Sequence, residues 1–431
     1  MLTVIGKKRV DDLFAHLPGA VRNTPSSPVP ALSELELTSY MTELAQRNTS
    51  PNASTNFLGA GAYNHHVPAA VWALAGRGEF LTAYTPYQAE LMQGWLQALH
   101  EYQEMVQALT GMAVANASMY DGATATFEAV KVAMLATSRY KVIVSRTVDP
   151  RYRDVLHTLL TPIGAVVTEL PHQDGVTQLN EGDLQDAAAL VVQSPNFLGL
   201  IEDVAELAVT AHQHGTLIIQ VITDPTSLGL LKAPGEMNVD LVAAEGQALG
   251  NPVSFGGPHL GILAGRAAFV RLMPGRLVSK GFDAQGQPGY VLTLQTREQH
   301  VRREKASSNI CTNQSLNALA AAIYLALLGP VGVQEVAELS AGAAAYARTH
   351  LERLPGFTLP FSGPHHHELV VQTPVPTQEL LGRLRQMGVQ GGYPLHREYP
   401  ELGQALLFCF TEQHAQADID HLIRCLRDAT A

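Results

Sequence analysis

The chain has 431 residues and a mass of 46.3 kDa, with 46% hydrophobic and 16% charged residues, which excludes a disordered chain. With 28 Lys and Arg against 39 Asp and Glu, the formal charge is −11 and the isoelectric point about 5.8, so nucleic acid and anionic membranes are not expected partners. The three cysteines, Cys311, Cys409 and Cys425, form no CxxC pair, which points to a reducing compartment and away from a disulfide scaffold or a cysteine-based zinc knuckle.

The N-terminus has no apolar run of signal-peptide length, and Asp11 and Asp12 come too early for a transit peptide, so a cytoplasmic location is expected. Residues 1–55 read as a helical arm: an amphipathic piece at Val10–Leu17, a Pro/Ser turn at Thr24–Pro30, a helix at Glu34–Arg47 and a polar end at Asn48–Ser54. From residue 56 to 330 strands and helices alternate. Strands are expected at Lys141–Ser145, Ala165–Glu169, Ala188–Gln193, Thr216–Val221 and Leu241–Ala244, and helices at Gly122–Thr137, Tyr152–Thr161 and Val204–His214. That order predicts a mainly parallel sheet covered by helices, an α/β fold. The longest apolar run, Ala318–Leu328, is shorter than the about 20 residues a bilayer requires, so no membrane span is expected. Leu316–Leu328 reads as a buried helix, punctuated by Gly329-Pro330 and followed by a helix over Val333–Leu354. Residues 331–431 form a small α/β domain, with strands at His367–Gln372 and Ala405–Phe410, helices at Thr377–Met387 and Ala415–Asp428, and a βαβ-like order.

Several positions could carry chemistry. Asp121-Gly122-Ala123-Thr124 opens a helix, and its amides suit an anion unless Asp121 simply caps the turn. Asp224 follows the buried strand, where open α/β sheets place ligands and where pyridoxal-phosphate enzymes hold the pyridinium nitrogen; a turn cap is the equal alternative. The small-residue loop Gly59–Pro68 displays Tyr63, Asn64, His65 and His66, which suit hydrogen bonding to a substrate or partner channel better than a metal. Tyr84, Thr85 and Tyr87 surround the turn at Pro86, either displayed or packed beneath it. His365-His366-His367 is expected to be a solvated strand start, since consecutive side chains on an extended segment point to opposite faces. Arg297, His300, Arg302, Arg303 and Lys305 are expected to form a solvated basic face rather than an anion site.

A pyridoxal-phosphate enzyme needs a lysine for its Schiff base. The chain has seven lysines, and none follows the strand Leu241–Ala244, where Glu245 to Asn251 read EGQALGN. Lys232 precedes that strand and Lys280 lies far beyond it, so the covalent anchor is missing.

The segments FLGAGAYNHHVP, TAYTPYQAE, ANASMYDGATATFEA, GNPVSFGGPHLG and LQTREQHVRREKASSNICTNQ resemble the glycine cleavage system P-protein family, specifically its N-terminal half, the alpha subunit or subunit 1 type, over nearly the whole chain. The resemblance implies a fold-type I pyridoxal-phosphate architecture in which the cofactor is bound covalently by the partner, the beta subunit, and not by this chain. It also implies a heterodimer, doubled to α2β2, that decarboxylates glycine and passes the aminomethyl group to the lipoyl group of H-protein. Residue by residue it marks Tyr63, Asn64, His65, Tyr84, Thr85, Asn309, Cys311 and Thr312 as candidates for a shared cleft or lipoyl entrance. Asp121, Gly122, Ala123, Thr124 and Asp224 become vestigial cofactor positions, and no residue is a covalent catalyst or a metal ligand. Thr147-Val148-Asp149-Pro150 stands where a histidine stacked on the cofactor would be expected. The alternatives are an independent pyridoxal-phosphate enzyme using Lys232 or Lys280, and a scaffold that only stabilises its partner.

Overall fold

The computed structural model describes residues 1–22, 31–48, 55–295 and 298–430. The turn expected over Thr24–Pro30, Arg297 and most of Asn48–Ser54 lie outside them. The chain divides into two compact units, Met1–Ala53 and Ser54–Ala431. In the first, α1 (Glu34–Ala45) starts at Ser33, whose hydroxyl accepts from the Glu36 amide while Glu36 accepts from the Ser33 amide, a closed capping box. The piece expected at Val10–Leu17 is shorter, a 3-10 turn over Val10–Phe14, because Leu17-Pro18 follows and no second helical turn can form. None of this unit's described residues is buried.

The second unit is built on a seven-stranded sheet. Its strands in chain order are β1 (Val114–Ala115), β2 (Lys141–Ser145), β3 (Val166–Leu170), β4 (Ala187–Gln193), β5 (Leu217–Ile222), β6 (Leu241–Glu245) and β7 (Gly261–Gly265). They lie side by side as β1-β7-β6-β5-β4-β2-β3. The run from β6 to β3 is parallel, and β7 pairs antiparallel with both β6 and β1. The all-apolar reading of these strands has a direct cause: every residue of β4 and β6 is buried, because side chains on both faces meet protein.

The two faces separate with the two-residue strand period. Ile143, Leu190, Val192, Ile218, Ile222, Val242 and Ala244 join one cluster with α2 (Gln93–Thr110), α5 (Val204–Gln213) and α6 (Ser315–Leu351). Val142, Val144, Val191, Ile219, Val221 and Ala243 join the other with α3 (Gly122–Thr137) and α4 (Pro150–Leu160). The expected α/β architecture is therefore present. Helix α2 was not among the expected elements, although Trp95, Leu96, Leu99, Tyr102 and Val106 make its buried stripe. The hairpin β8 (Leu277–Phe282) with β9 (Pro288–Thr293) was also unforeseen; its half-exposed strands carry little apolar signal.

The two helices expected on either side of Gly329-Pro330 are present and meet at a break at Gly329, whose φ 60° and ψ −177° are not helical; together they are α6 (Ser315–Leu351). By length and composition alone this helix could cross a membrane, but half of its most apolar window is buried, and Ala318 to Leu325 belong to the core of the sheet. Beyond it the C-terminal lobe corrects the expected βαβ order. β10 (Glu368–Gln372) and β11 (Tyr393–Pro394) both pair antiparallel with β12 (Ala405–Cys409), because the short β11 turns the chain back before β12. Helices α7 (Thr377–Gln386) and α8 (Gln416–Thr430) cover this sheet through Leu380, Leu384, Leu422 and Leu426.

Gly199 ties the two sheets together. It has φ +85°, its carbonyl accepts from the His366 amide at 3.2 Å, and a Cβ there would stand 2.2 Å from the Glu368 carbonyl oxygen. Gly199→Ala is expected to lower stability by about 2 kcal/mol or more, read as a fall in denaturation midpoint. Gly281→Ala, where a Cβ meets nothing within 4 Å, should stay within about 0.5 kcal/mol of the parent.

Candidate functional site

Asp224 lies two residues past the carboxyl end of β5, on a buried turn where its Oδ1 accepts from the Thr226 amide at 3.0 Å and hydroxyl at 2.7 Å. Its Oδ2 faces two imidazoles: His65 Nε2 at 3.0 Å and His367 Nε2 at 3.4 Å. The other ring nitrogen of His65, Nδ1, is 2.6 Å from Glu412 Oε2. A ring between two carboxylates has two acceptors to satisfy, so both nitrogens donate and His65 is an imidazolium. Burial alone would push its pKa down, but Asp224 and Glu412 outweigh burial and raise it from 6.5 to about 10. Burial would likewise raise Asp224, yet the His65 charge holds it well below the ordinary carboxylate range.

Around this pair the loop Gly59–Pro68 is pulled inward. The Tyr63 hydroxyl donates to Glu368 Oε2 at 3.0 Å and sits 3.1 Å from Thr223 Oγ1, and the Ala60 amide donates to Glu368 Oε1 at 2.6 Å. Burial pushes Glu368 up to about 7. The Asn64 carbonyl accepts from the Thr411 hydroxyl at 2.9 Å. The structure thus places Tyr63 and His65, 1% and 6% exposed, in an interior network rather than on an open wall, with His66 facing outward.

The triple histidine corrects the expectation of a solvated strand start. His366 and His367 are buried, share a hydrogen bond through their Nδ1 atoms, and are pushed by burial down to about 4 and about 3. They are buried because β10 begins against Asp224 and the Gly199 loop, a tertiary contact that local sequence does not encode.

The second expected cofactor position is the start of α3. Asp121 Oδ1 accepts from the Thr124 amide at 2.8 Å, so Asp121 caps the helix. The Gly122 amide donates at 3.1 Å to Glu245 Oε2, and Glu245 Oε1 also accepts from Gln247 and Leu260 amides. Burial pushes Glu245 up to about 7 against the three amides, which favour its anion. A Cβ on Gly122 would meet the Tyr152 hydroxyl at 2.1 Å, so the helix start faces protein. In the segment Thr147–Pro150, where a stacking histidine was expected to be missing, Asp149 is buried, caps α4 and pairs with Arg151.

Pyridoxal phosphate bound here would need Asp224 free for its ring nitrogen, open amides for its phosphate and a nearby lysine. The residues present do not fit it. Asp224 is taken by His65, the amide is taken by Glu245, and Lys232 and Lys280 are both exposed, Lys232 lining a different cavity of about 500 Å3 between α2 and α6.

A separate open cleft of about 230 Å3 is lined by Tyr87, Arg276, Leu292, Gln295, His300 and Cys311 among others. The Arg276 guanidinium donates to the Thr85 hydroxyl and lies 5.3 Å from the Tyr87 ring centroid. Asn309 is exposed and Thr312 half-buried beside Cys311, and Tyr84 is 78% exposed. The candidates therefore fall into two groups: Tyr63, Asn64 and His65 with Asp224 in the interior, Thr85 and Cys311 at the cleft. Sequence reasoning missed Glu412, Glu368, Glu245 and Arg276. His300, Arg302, Arg303 and Lys305 of the expected basic face are exposed, and His300 also lines the cleft.

The sequence profile of the glycine cleavage system P-protein matches residues 1–426. This chain belongs to that family. It is 48% identical to the probable glycine dehydrogenase (decarboxylating) subunit 1 of Desulfitobacterium hafniense, over 98% of this chain and 96% of that one. It is also 48% identical to the subunit 1 of the same name from Moorella thermoacetica, over 100% and 97%. Among solved structures, a glycine decarboxylase (P-protein) in inhibitor-bound form superposes with a TM-score of 0.94 at 45% identity, covering 100% of this P-protein-family chain and 97% of the other. The sphingosine-1-phosphate lyase of Burkholderia pseudomallei, TM-score 0.68 at 16% identity and covering 96% and 94%, shares the fold-type I pyridoxal-phosphate architecture alone.

The His65 pKa sets a pH dependence. A value raised from 6.5 to about 10 gives stability that is complete below pH 6.5 and lost as pH rises through 10. His65→Gln should remove that alkaline slope from a plot of melting temperature against pH. At pH 7 it should cost roughly 3–5 kcal/mol, because Asp224 and Glu412 are left buried without a counter-charge.

Proposed function

We propose that this chain is the subunit of glycine dehydrogenase (decarboxylating) that carries no cofactor lysine, and that it acts with a second, lysine-bearing subunit. The complex releases CO2 from glycine and passes the aminomethyl group to the lipoyl group of H-protein, as an αβ pair doubled to α2β2. The observation that carries this reading is the occupied cofactor position: Asp224 is neutralised by His65, and no lysine contacts it. Pyridoxal phosphate held by the partner supplies the electron sink for CO2 loss.

This chain's share is the open cleft. Thr85 fixes Arg276 from one side and Tyr87 flanks its guanidinium, so a fixed cation faces the cavity and suits an anionic group entering it. Leu277 and Leu292 supply apolar wall that limits water. The N-terminal unit adds a partner-facing surface. Phe14, Leu35, Leu37, Tyr40 and Met41 are all exposed, a density of apolar side chains that a second subunit would cover. The same reading puts the complex in the cytoplasm, where Cys311 stays reduced. An independent enzyme using Lys232 or Lys280 is not favoured, since neither exposed lysine approaches Asp224.

The test is glycine–bicarbonate exchange with the chain alone and with its second subunit, followed by borohydride reduction and peptide mapping. Exchange is expected only in the pair, with the pyridoxyl group on the partner; a pyridoxyl-lysine at position 232 or 280 rejects the proposal. Arg276→Ala in the assembled pair should slow exchange by about 10- to 100-fold, the loss of one charge-assisted contact. An unchanged rate with intact assembly would leave this chain only a scaffold's role.

A further inference from the structure

The place where fold relatives keep pyridoxal phosphate has two electrostatic ends: an aspartate for the ring cation and a helix start for the phosphate. In this chain a side chain of matching charge stands at each. At the aspartate, the flat His65 ring lies 3.0 Å from Asp224 and 2.6 Å from Glu412, and His367 Nε2 lies 3.4 Å from the same Asp224 oxygen. At the helix start, the Glu245 carboxylate receives the Gly122 amide at 3.1 Å, and Tyr152 closes the remaining space.

We propose that His65 and Glu245 are a built-in substitute for the cofactor, an aromatic cation on Asp224 and an anion on the first turn of α3, which lets this chain complete its fold with no bound ligand. A cofactor-binding chain leaves a buried aspartate and a free helix end to be neutralised by the ligand; a chain that never receives the ligand must neutralise both itself, or carry the cost of unpaired buried groups. The substitute also joins three separate segments of the chain. His65 comes from the Gly59–Pro68 loop, Asp224 from the large sheet and Glu412 from the turn after β12, where the Glu412 amide donates to the Ser340 hydroxyl of α6 at 3.1 Å. The inference stands on this chain's contacts and its fold, whichever protein completes the enzyme.

The site then has a defined ligand chemistry once the internal groups are trimmed, since an engineered cavity of ring size takes up small aromatics. In the assembled two-subunit enzyme, His65→Gly should lower the melting temperature by roughly 5 °C or more, and tens of millimolar imidazole should restore at least half of the loss. Methylammonium at the same concentration should restore little, because a ring as well as a charge is needed. Glu245→Ala should be stabilised by inorganic phosphate more than the parent is, at equal ionic strength. The proposal is overturned if either variant melts like the parent, if imidazole or phosphate gives no selective recovery, or if methylammonium works as well as imidazole. Should the variants not fold, solid-state 15N spectra of the histidine-labelled parent enzyme decide. One histidine of this chain should keep both ring nitrogens protonated at pH 8.5, and finding every ring neutral there overturns the proposal.

Discussion

The contact between the Asp224 carboxylate and the His65 imidazolium governs the rest of the molecule. Both groups are almost fully buried, and an isolated charge at that depth would be prohibitively costly. Together, with Glu412 on the far side of the ring, they are tolerated, and the ring is then fixed from both nitrogens. The loop that carries His65 has to run inward, which brings Tyr63 onto Glu368 and the Asn64 carbonyl onto Thr411. One ion pair thereby joins the loop, the large sheet and the turn that leaves the small sheet.

The same geometry explains why a fold built around a cofactor persists in a chain whose own residues do not fit one. The carboxyl edge of a parallel sheet collects strand ends and helix starts whose dipoles and acids need partners. Here the partners are side chains, and the interior stays close-packed. One open cleft lies at the hairpin β8–β9, lined by Arg276 and Tyr87, and a larger cavity lies between α2 and α6. A buried ion-pair network at one place and an accessible cleft holding a cation at another are the two features this chain brings to the fold.

Much of the fold was legible in the amino-acid order. The strands Lys141–Ser145 and Leu241–Glu245 announce themselves as short apolar runs, and the helix start at Asp121 through its capping residues. The hairpin was not, because half-exposed strands such as PGYVLT have no continuous apolar signal. The βαβ-like order did not anticipate that β12 pairs antiparallel with β10, because the two-residue β11 between them is too short to leave a pattern. In the candidate site, Asp224 and the missing lysine were readable, while Glu412 and Glu368 were not, since each lies hundreds of residues from the group it holds.

By itself, then, the sequence determined the layered α/β fold, the membership of the P-protein family and the lack of lysine in residues 245–251, since periodicity, composition and residue identity are local properties. Only the tertiary structure decided that His366 and His367, on an apparently polar segment, are interior, that His65 is a cation held between two acids, and that Arg276, held by the buried Thr85, lines the accessible cleft. Those outcomes depend on which charges meet after the chain has folded, and burial, which multiplies the strength of each such meeting, exists only in three dimensions.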